Sequence, residues 1–317
     1  MERNATIGSF FPLSTKYNSS FLEDNTTYNT SRDNYIPAHS LLNLCIATVL
    51  LIIGLTGNSF TIIFVFVRRN LHTPTYTAIA CLGIADLLAS CSRFVFHLDN
   101  HFYFFNYTEA SLYGIITAFF LNAANFHVVL FAYLRCALIS SPLQSTGITY
   151  RKVLKISIVI WVLSCVVASA YGTVMIFEIN GIVSIDDSAF TEIFFWSYIY
   201  FLPFLLIIYF HVTKIRKMRQ HKSEMTRRQC YAHMSESMSF MFIIIITIFV
   251  ISSTPSVVHV IIFYICRKEN STSVFCIRYP FALGHSISYL CIMLNNCINP
   301  IIYFMFSHPV RKFFNRY

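Results

Sequence analysis

The sequence predicts an all-α membrane protein: a seven-transmembrane helix bundle with a short amphipathic C-terminal helix. Three observations carry this. Seven stretches of about 20 residues or more hold almost no Asp, Glu, Lys or Arg, and a helix of about 20 apolar residues spans the roughly 30 Å hydrocarbon core. Only 12% of the 317 residues are charged and 56% are hydrophobic, whereas about 25% are charged in an ordinary soluble domain. The basic residues gather in alternate connections, which ties the net charge of +9 to membrane topology and not to nucleic acid.

Residues 1–39 are rich in Asn, Ser, Thr and Tyr and lack helical periodicity. They are expected to form a disordered extracellular tail. Four Asn-x-Ser/Thr acceptors, at Asn4, Asn18, Asn25 and Asn29, mark it for glycosylation. Met1 to Pro37 contains no apolar signal-peptide core, so the first span is expected to direct its own insertion. The seven runs, within a domain over 40–308, are Leu41–Val67, Thr73–Ser92, Ala110–Leu134, Ile156–Phe177, Ile193–Thr213, Ser237–Cys266 and Tyr279–Val310. Only Asp86 interrupts them. The connections are short apart from a basic one, Lys214 to Ser235. Residues 309–317 place Val310, Phe313 and Phe314 among Arg311, Lys312 and Arg316, the pattern of an interfacial cytoplasmic helix that touches lipid.

With the N-terminus outside, the cytoplasmic segments carry 16 Lys/Arg and the exterior segments six, Arg93 being the remaining one. The positive-inside rule favours this orientation. The other two glycosylation acceptors, Asn106 and Asn270, then fall in exterior loops. Ten cysteines lack metal-ligand spacing. Cys266 and Cys276 flank the third exterior loop in an oxidising compartment, where a local disulfide is expected. Two free thiols are the alternative.

The last run contains Asn299-Pro300-Ile301-Ile302-Tyr303, with Asn295-Asn296 one turn earlier. Pro300 cannot donate a backbone hydrogen bond and kinks a helix; Asn299 can satisfy a freed backbone group or reach a neighbouring helix. Placed last of seven spans, this resembles the Asn-Pro-x-x-Tyr motif of rhodopsin-like (class A) G protein-coupled receptors. Gly57-Asn58, Leu82-Gly-Ile-Ala-Asp86, Arg135 at the exit of helix three, Trp161, Pro203, and Phe249 with Pro255 match that family in order. The resemblance covers residues 40–317. It implies a receptor at the plasma membrane that passes an extracellular signal to a heterotrimeric G protein, with no enzymatic activity and no cofactor. It makes Asp86, Arg135, Phe249, Pro255, Asn295, Asn299, Pro300 and Tyr303 the switch residues, with a sodium site at Asp86, Asn295 and Asn299.

Departures bear on that inference. Leu134 precedes Arg135 where the family usually has Asp, so Arg135 loses its nearest restraining partner: either basal activity is raised or another group holds it. Ser253 stands in place of the helix-six tryptophan, His211 in place of the helix-five tyrosine, and Ala124 where a hydroxyl would help hold sodium. Ala110 occupies the helix-three disulfide position, so the family's usual disulfide cannot form. A non-coupling or decoy receptor is one alternative reading. A transporter or channel is another, although repeats and broken helices around a midplane site are not evident.

For the ligand, Arg93 lies two turns beyond Asp86 and should share its inward face, with His97 one turn higher. Snorkelling of Arg93 to the surface is the alternative. His259, His285 and Tyr289 extend this set to an outer cavity suited to an anionic or amide group. Thr117 and Met293 stand where amine receptors have Asp and opsins have Lys, so neither an amine nor retinal is expected. The glycosylated tail and the acidic second exterior loop (Glu178, Asp186, Asp187, Glu192) lean towards a peptide.

Overall fold

In the computed structural model the described residues are 38–102, 104–140, 147–180, 182, 185–220, 229–268 and 281–306. They form seven long helices: α1 (Ala38–Val67), α2 (Pro74–Phe102), α3 (Tyr107–Ser140), α4 (Tyr150–Ile179), α5 (Ile185–Gln220), α6 (Gln229–Lys268) and α7 (Phe281–Phe306). The described residues include no strand. The N-terminal tail, the C-terminal segment 309–317, Asn270 and Cys276 lie outside them. Six helices are long and apolar enough to cross a membrane. The seventh is α7, whose hydropathy is lowered by Asn295, Asn296 and Asn299, all buried.

Charge ends a helix's stay in hydrocarbon without ending the helix. Lys and Arg are good helix formers, so α5 continues through Lys214 to Gln220 and α6 begins at Gln229. Most of the basic connection is therefore helical. Likewise α2 runs on to Phe102, which puts Arg93 well inside the bundle and not near its outer end. The start of α3 is fixed locally. Asn106 Oδ1 accepts from the Glu109 N–H and Glu109 Oε2 accepts from the Asn106 N–H, both at 3.0 Å. This reciprocal pair satisfies two donors that have no partner within the helix. A glycan on Asn106 would attach at Nδ2 and leave the capping oxygen in place.

Helix α3 is central: 72% of its most apolar stretch is buried, against 17% for α1 and 22% for α4. It packs on α2, α4 and α5, while α1 packs on α2 and α7, and α6 on α5 and α7. Lipid is as apolar as a leucine side chain, so helices associate through close packing and polar contacts. Ala85 and Ala89 of α2 meet Ala124 of α3 in one buried cluster. The exposed apolar side chains, such as Ile158, Val159, Val162 and Leu163 on α4, form the lipid face.

Two helix-interior prolines are matched by asparagines from other helices. Pro203 leaves the Ile199 carbonyl without its usual donor, and Asn125 Nδ2 of α3 donates to it at 3.0 Å. Pro300 frees the Asn296 carbonyl in the same way, and Asn58 Nδ2 of α1 donates to it at 3.2 Å. The sequence left Asn299 either such a task or a reach to a neighbouring helix; the structure shows the reach, to Asp86 of α2, and gives the freed carbonyl to Asn58. Asn125→Ala is expected to lower the melting temperature of the purified protein by the equivalent of about 1 kcal/mol. In a Pro203→Ala background, where residue 203 regains its N–H, the loss should shrink to near zero. Equal losses in both backgrounds would rule out this pairing.

Candidate functional site

The residues expected to act as the switch fall into a polar layer and a second layer nearer the C-terminal end of α3. Asp86 is buried on α2, and Asn299 Nδ2 donates to its Oδ2 at 2.8 Å. Asn295 is buried one turn earlier on α7. Hard cations take about six oxygen ligands. Ala124 of α3, packed on Ala85 and Ala89, brings no hydroxyl to such a site. Tyr303 is buried with its hydroxyl lacking a hydrogen-bond partner. Its ring meets Phe131 edge to face, with centroids 5.8 Å apart.

Arg135 sits near the C-terminal end of α3, half-buried, with its guanidinium carbon 5.0 Å from the Phe131 ring centroid. Arg135, Phe131 and Tyr303 thus form one stack between α3 and α7. Leu134 is fully buried in the inner apolar cluster, in the place of the acid that would hold Arg135. Lys214 of α5 is buried within electrostatic reach of Arg135. Phe249 is buried on α6. Near Pro255, the Ser288 hydroxyl lies 3.0 Å from the Pro255 carbonyl and 2.8 Å from that of Gly284. Ser256 donates to the Ser288 carbonyl at 3.4 Å. The Ser288–Pro255 and Ser256–Ser288 bonds join α6 to α7 beside the proline.

Five of the six residues expected around a ligand line one cavity of about 50 Å³: Arg93, Thr117, His259, His285 and Tyr289. The sixth, His97, stacks on Tyr289 with centroids 4.2 Å apart and planes 13° apart. Arg93 does not snorkel. It is 8% exposed, and its guanidinium carbon lies 5.2 Å from the Tyr289 ring centroid. The Tyr289 hydroxyl donates to the Arg93 carbonyl at 3.1 Å, tying α7 to α2. The Thr117 hydroxyl is spent on the Tyr113 carbonyl of its own helix. His259 and His285 face each other with ring centroids 5.9 Å apart.

The sequence reading missed Trp196 and Tyr200, which stack 6.0 Å apart and form the α5 wall. Their spacing of four residues, one turn before Pro203, was a readable signal. Ser256 and Ser288 also line the cavity; small hydroxyls are too common in membrane helices to have stood out. At the loop end of α6, Cys266 is disulfide-bonded.

Comparison with known proteins places this arrangement. The sequence profile described as 7 transmembrane receptor (rhodopsin family) matches residues 57–303. The tachykinin-like peptides receptor 86C of Drosophila melanogaster is 27% identical over 298 residues, 84% of this chain and 56% of that protein. Melanocortin receptor 5 of Ovis aries is 25% identical over 285 residues, 83% of this chain and 80% of its own. Human melanopsin is 26% identical over 206 residues, 58% of this chain and 42% of its own. This chain thus spans little more than half the length of the tachykinin-like relative. The matched stretch runs from Gly57 to Tyr303 and takes in the Asp86–Asn299 pair, the Arg135 stack and the outer cavity; the chain belongs to the rhodopsin family of seven-transmembrane receptors.

Proposed function

We propose that this protein is a plasma-membrane receptor with its N-terminus outside. An extracellular ligand, a peptide in this reading, would enter the outer cavity and shift the bundle towards a state whose inner face accepts a heterotrimeric G protein. The observation that carries the reading is the span of α3. That helix presents Thr117 to the cavity and Arg135 to the inner end, 18 residues or about 27 Å apart along one rigid element. A ligand acts only through its differential affinity for two states of the bundle. The lever on offer is the contact of α2 and α7 at Arg93 and Tyr289, above the Asp86–Asn299 pair. The distribution of basic residues supports the orientation, and the tachykinin-like relative is named for a peptide ligand.

Leu134, in the place of the acid that would neighbour Arg135, favours a raised basal activity unless another group holds Arg135. The test is nucleotide exchange on a panel of G proteins in membranes bearing the protein without added ligand. Exchange above background is expected, falling to background in Arg135→Ala. Ser253, in place of the helix-six tryptophan, favours a second reading, a receptor that binds ligand without coupling. Silence of surface-expressed protein across the panel, with and without a peptide library, would select that reading.

A further inference from the structure

Among the described residues, the cavity holds a buried cation and no acid lines the wall beside it. Arg93 Nε is buried without a hydrogen-bond partner. The cavity-lining residues include no Asp or Glu. The nearby acids on α2 are engaged elsewhere: Asp86 with Asn299, and Asp99, whose Oδ1 accepts from the Phe105 N–H at 2.7 Å. The other titratable groups facing Arg93 are His97 on its own helix, Tyr200 on α5, His259 on α6, and His285 and Tyr289 on α7. None of them is negative at neutral pH, and the histidines bring only neutral or positive charge. Burying an unpaired guanidinium is costly, and its fork of N–H donors matches a carboxylate in a bidentate pair.

Size narrows the occupant. Each water needs roughly 10–15 Å³ of such space, so a cavity of about 50 Å³ admits a few atoms and not a whole side chain with its backbone. The walls beyond Arg93 are Trp196, Tyr200 and Ile292, which suit carbon and not a bare hydrated ion. We infer that the cavity takes the terminal carboxylate of an organic acid or of a peptide, held by Arg93, with the remainder of the ligand lying outward. This rests on the reading of the outer cavity as the ligand site. It also adds a sign: the ligand is an anion at its buried end, and an amidated end is rejected.

The test uses the purified full-length protein in lipid nanodiscs. Its thermal midpoint is followed by tryptophan fluorescence, to which Trp196 in the cavity wall contributes. The probes are propionate and phenylacetate against propionamide and phenylacetamide, with sodium chloride matched for ionic strength. The acids should raise the midpoint and the amides should not. Arg93→Gln should weaken the acid effect about 10-fold or more, and Arg93→Lys should restore part of it. Equal shifts by acid and amide, or by chloride alone, would overturn the assignment, as would no shift with any acid. The acid–amide contrast is read on the unmutated protein, so it holds even if Arg93→Gln fails to fold. The readout needs no G protein, so a protein that never couples can still pass this test. A coupling protein can equally fail it.

Discussion

Gly57→Leu is expected to abolish folded protein, with Gly57→Ala lowering the melting temperature markedly. A Cβ at Gly57 would lie 2.8 Å from Pro300 Cβ and 3.1 Å from its Cγ. That neighbour is a closed ring on the kinked part of α7 and cannot rotate aside. The backbones of α1 and α7 would have to part, and the Asn58 bond to the Asn296 carbonyl spans the same junction. Overpacking of this kind costs about 1–3 kcal/mol for a small insertion. The larger leucine exceeds what a marginally stable protein can absorb. Gly83 on α2 is the control. A Cβ there meets nothing closer than Ile62 Cγ1 at 3.4 Å, ordinary contact, and alanine is the better helix former by about 1 kcal/mol. Gly83→Ala should therefore leave the melting temperature unchanged or raised. Size-exclusion profiles and melting curves of the three variants decide the matter; a folded Gly57→Leu protein would show the junction to be looser than described.

Asp86→Leu should be the most damaging change among the polar residues, and Asp86→Asn should be far milder. Asn299 is 3% exposed, and its amide donates to Asp86. Leucine would leave that donor buried without an acceptor, at about 1–3 kcal/mol. Double-mutant cycles in another membrane protein reach about 1.7 kcal/mol for an interhelical bond, which sets the upper part of the expected range. Asparagine keeps a carbonyl oxygen for Asn299 and removes only the charge, so the fold should persist. The nucleotide-exchange rate then isolates the charge: loss of ligand-free exchange in a folded Asp86→Asn protein would assign the carboxylate itself a part in switching. Equal melting temperatures for the leucine and asparagine variants would show that the Asn299 bond contributes little.

Much of this architecture could be read from the chain because the bilayer imposes simple conditions. A span needs about 20 apolar residues, and a buried charge needs a reason, so Asp86 and the seven runs stood out. Helix ends did not, since Lys214–Gln220 changes the solvent around α5 without changing its propensity. The polar partners were half legible. The proline positions announce freed carbonyls, but only three-dimensional packing shows that Asn125 and Asn58 supply the donors. The outer cavity was anticipated on α2, α6 and α7, where histidines and an arginine are rare enough to be noticed. It was missed on α5, where Trp196 and Tyr200 resemble any aromatic pair in an apolar helix.

The two asparagine-to-carbonyl bonds have a mechanical consequence. Each fastens a proline-bearing helix to its neighbour at one point, and such a fastening behaves as a pivot pin. Sliding α5 or α7 along its axis by one turn, about 5.4 Å, would shear the bond. A small swing of the segment beyond the proline would leave it whole. Translation is thereby locked while angular freedom remains. The segments released by the pins run towards the end that carries Arg135, α5 towards Lys214 and α7 through Tyr303. A bundle jointed in this way can splay at the end that carries Arg135 while the walls of the Arg93 chamber keep their register.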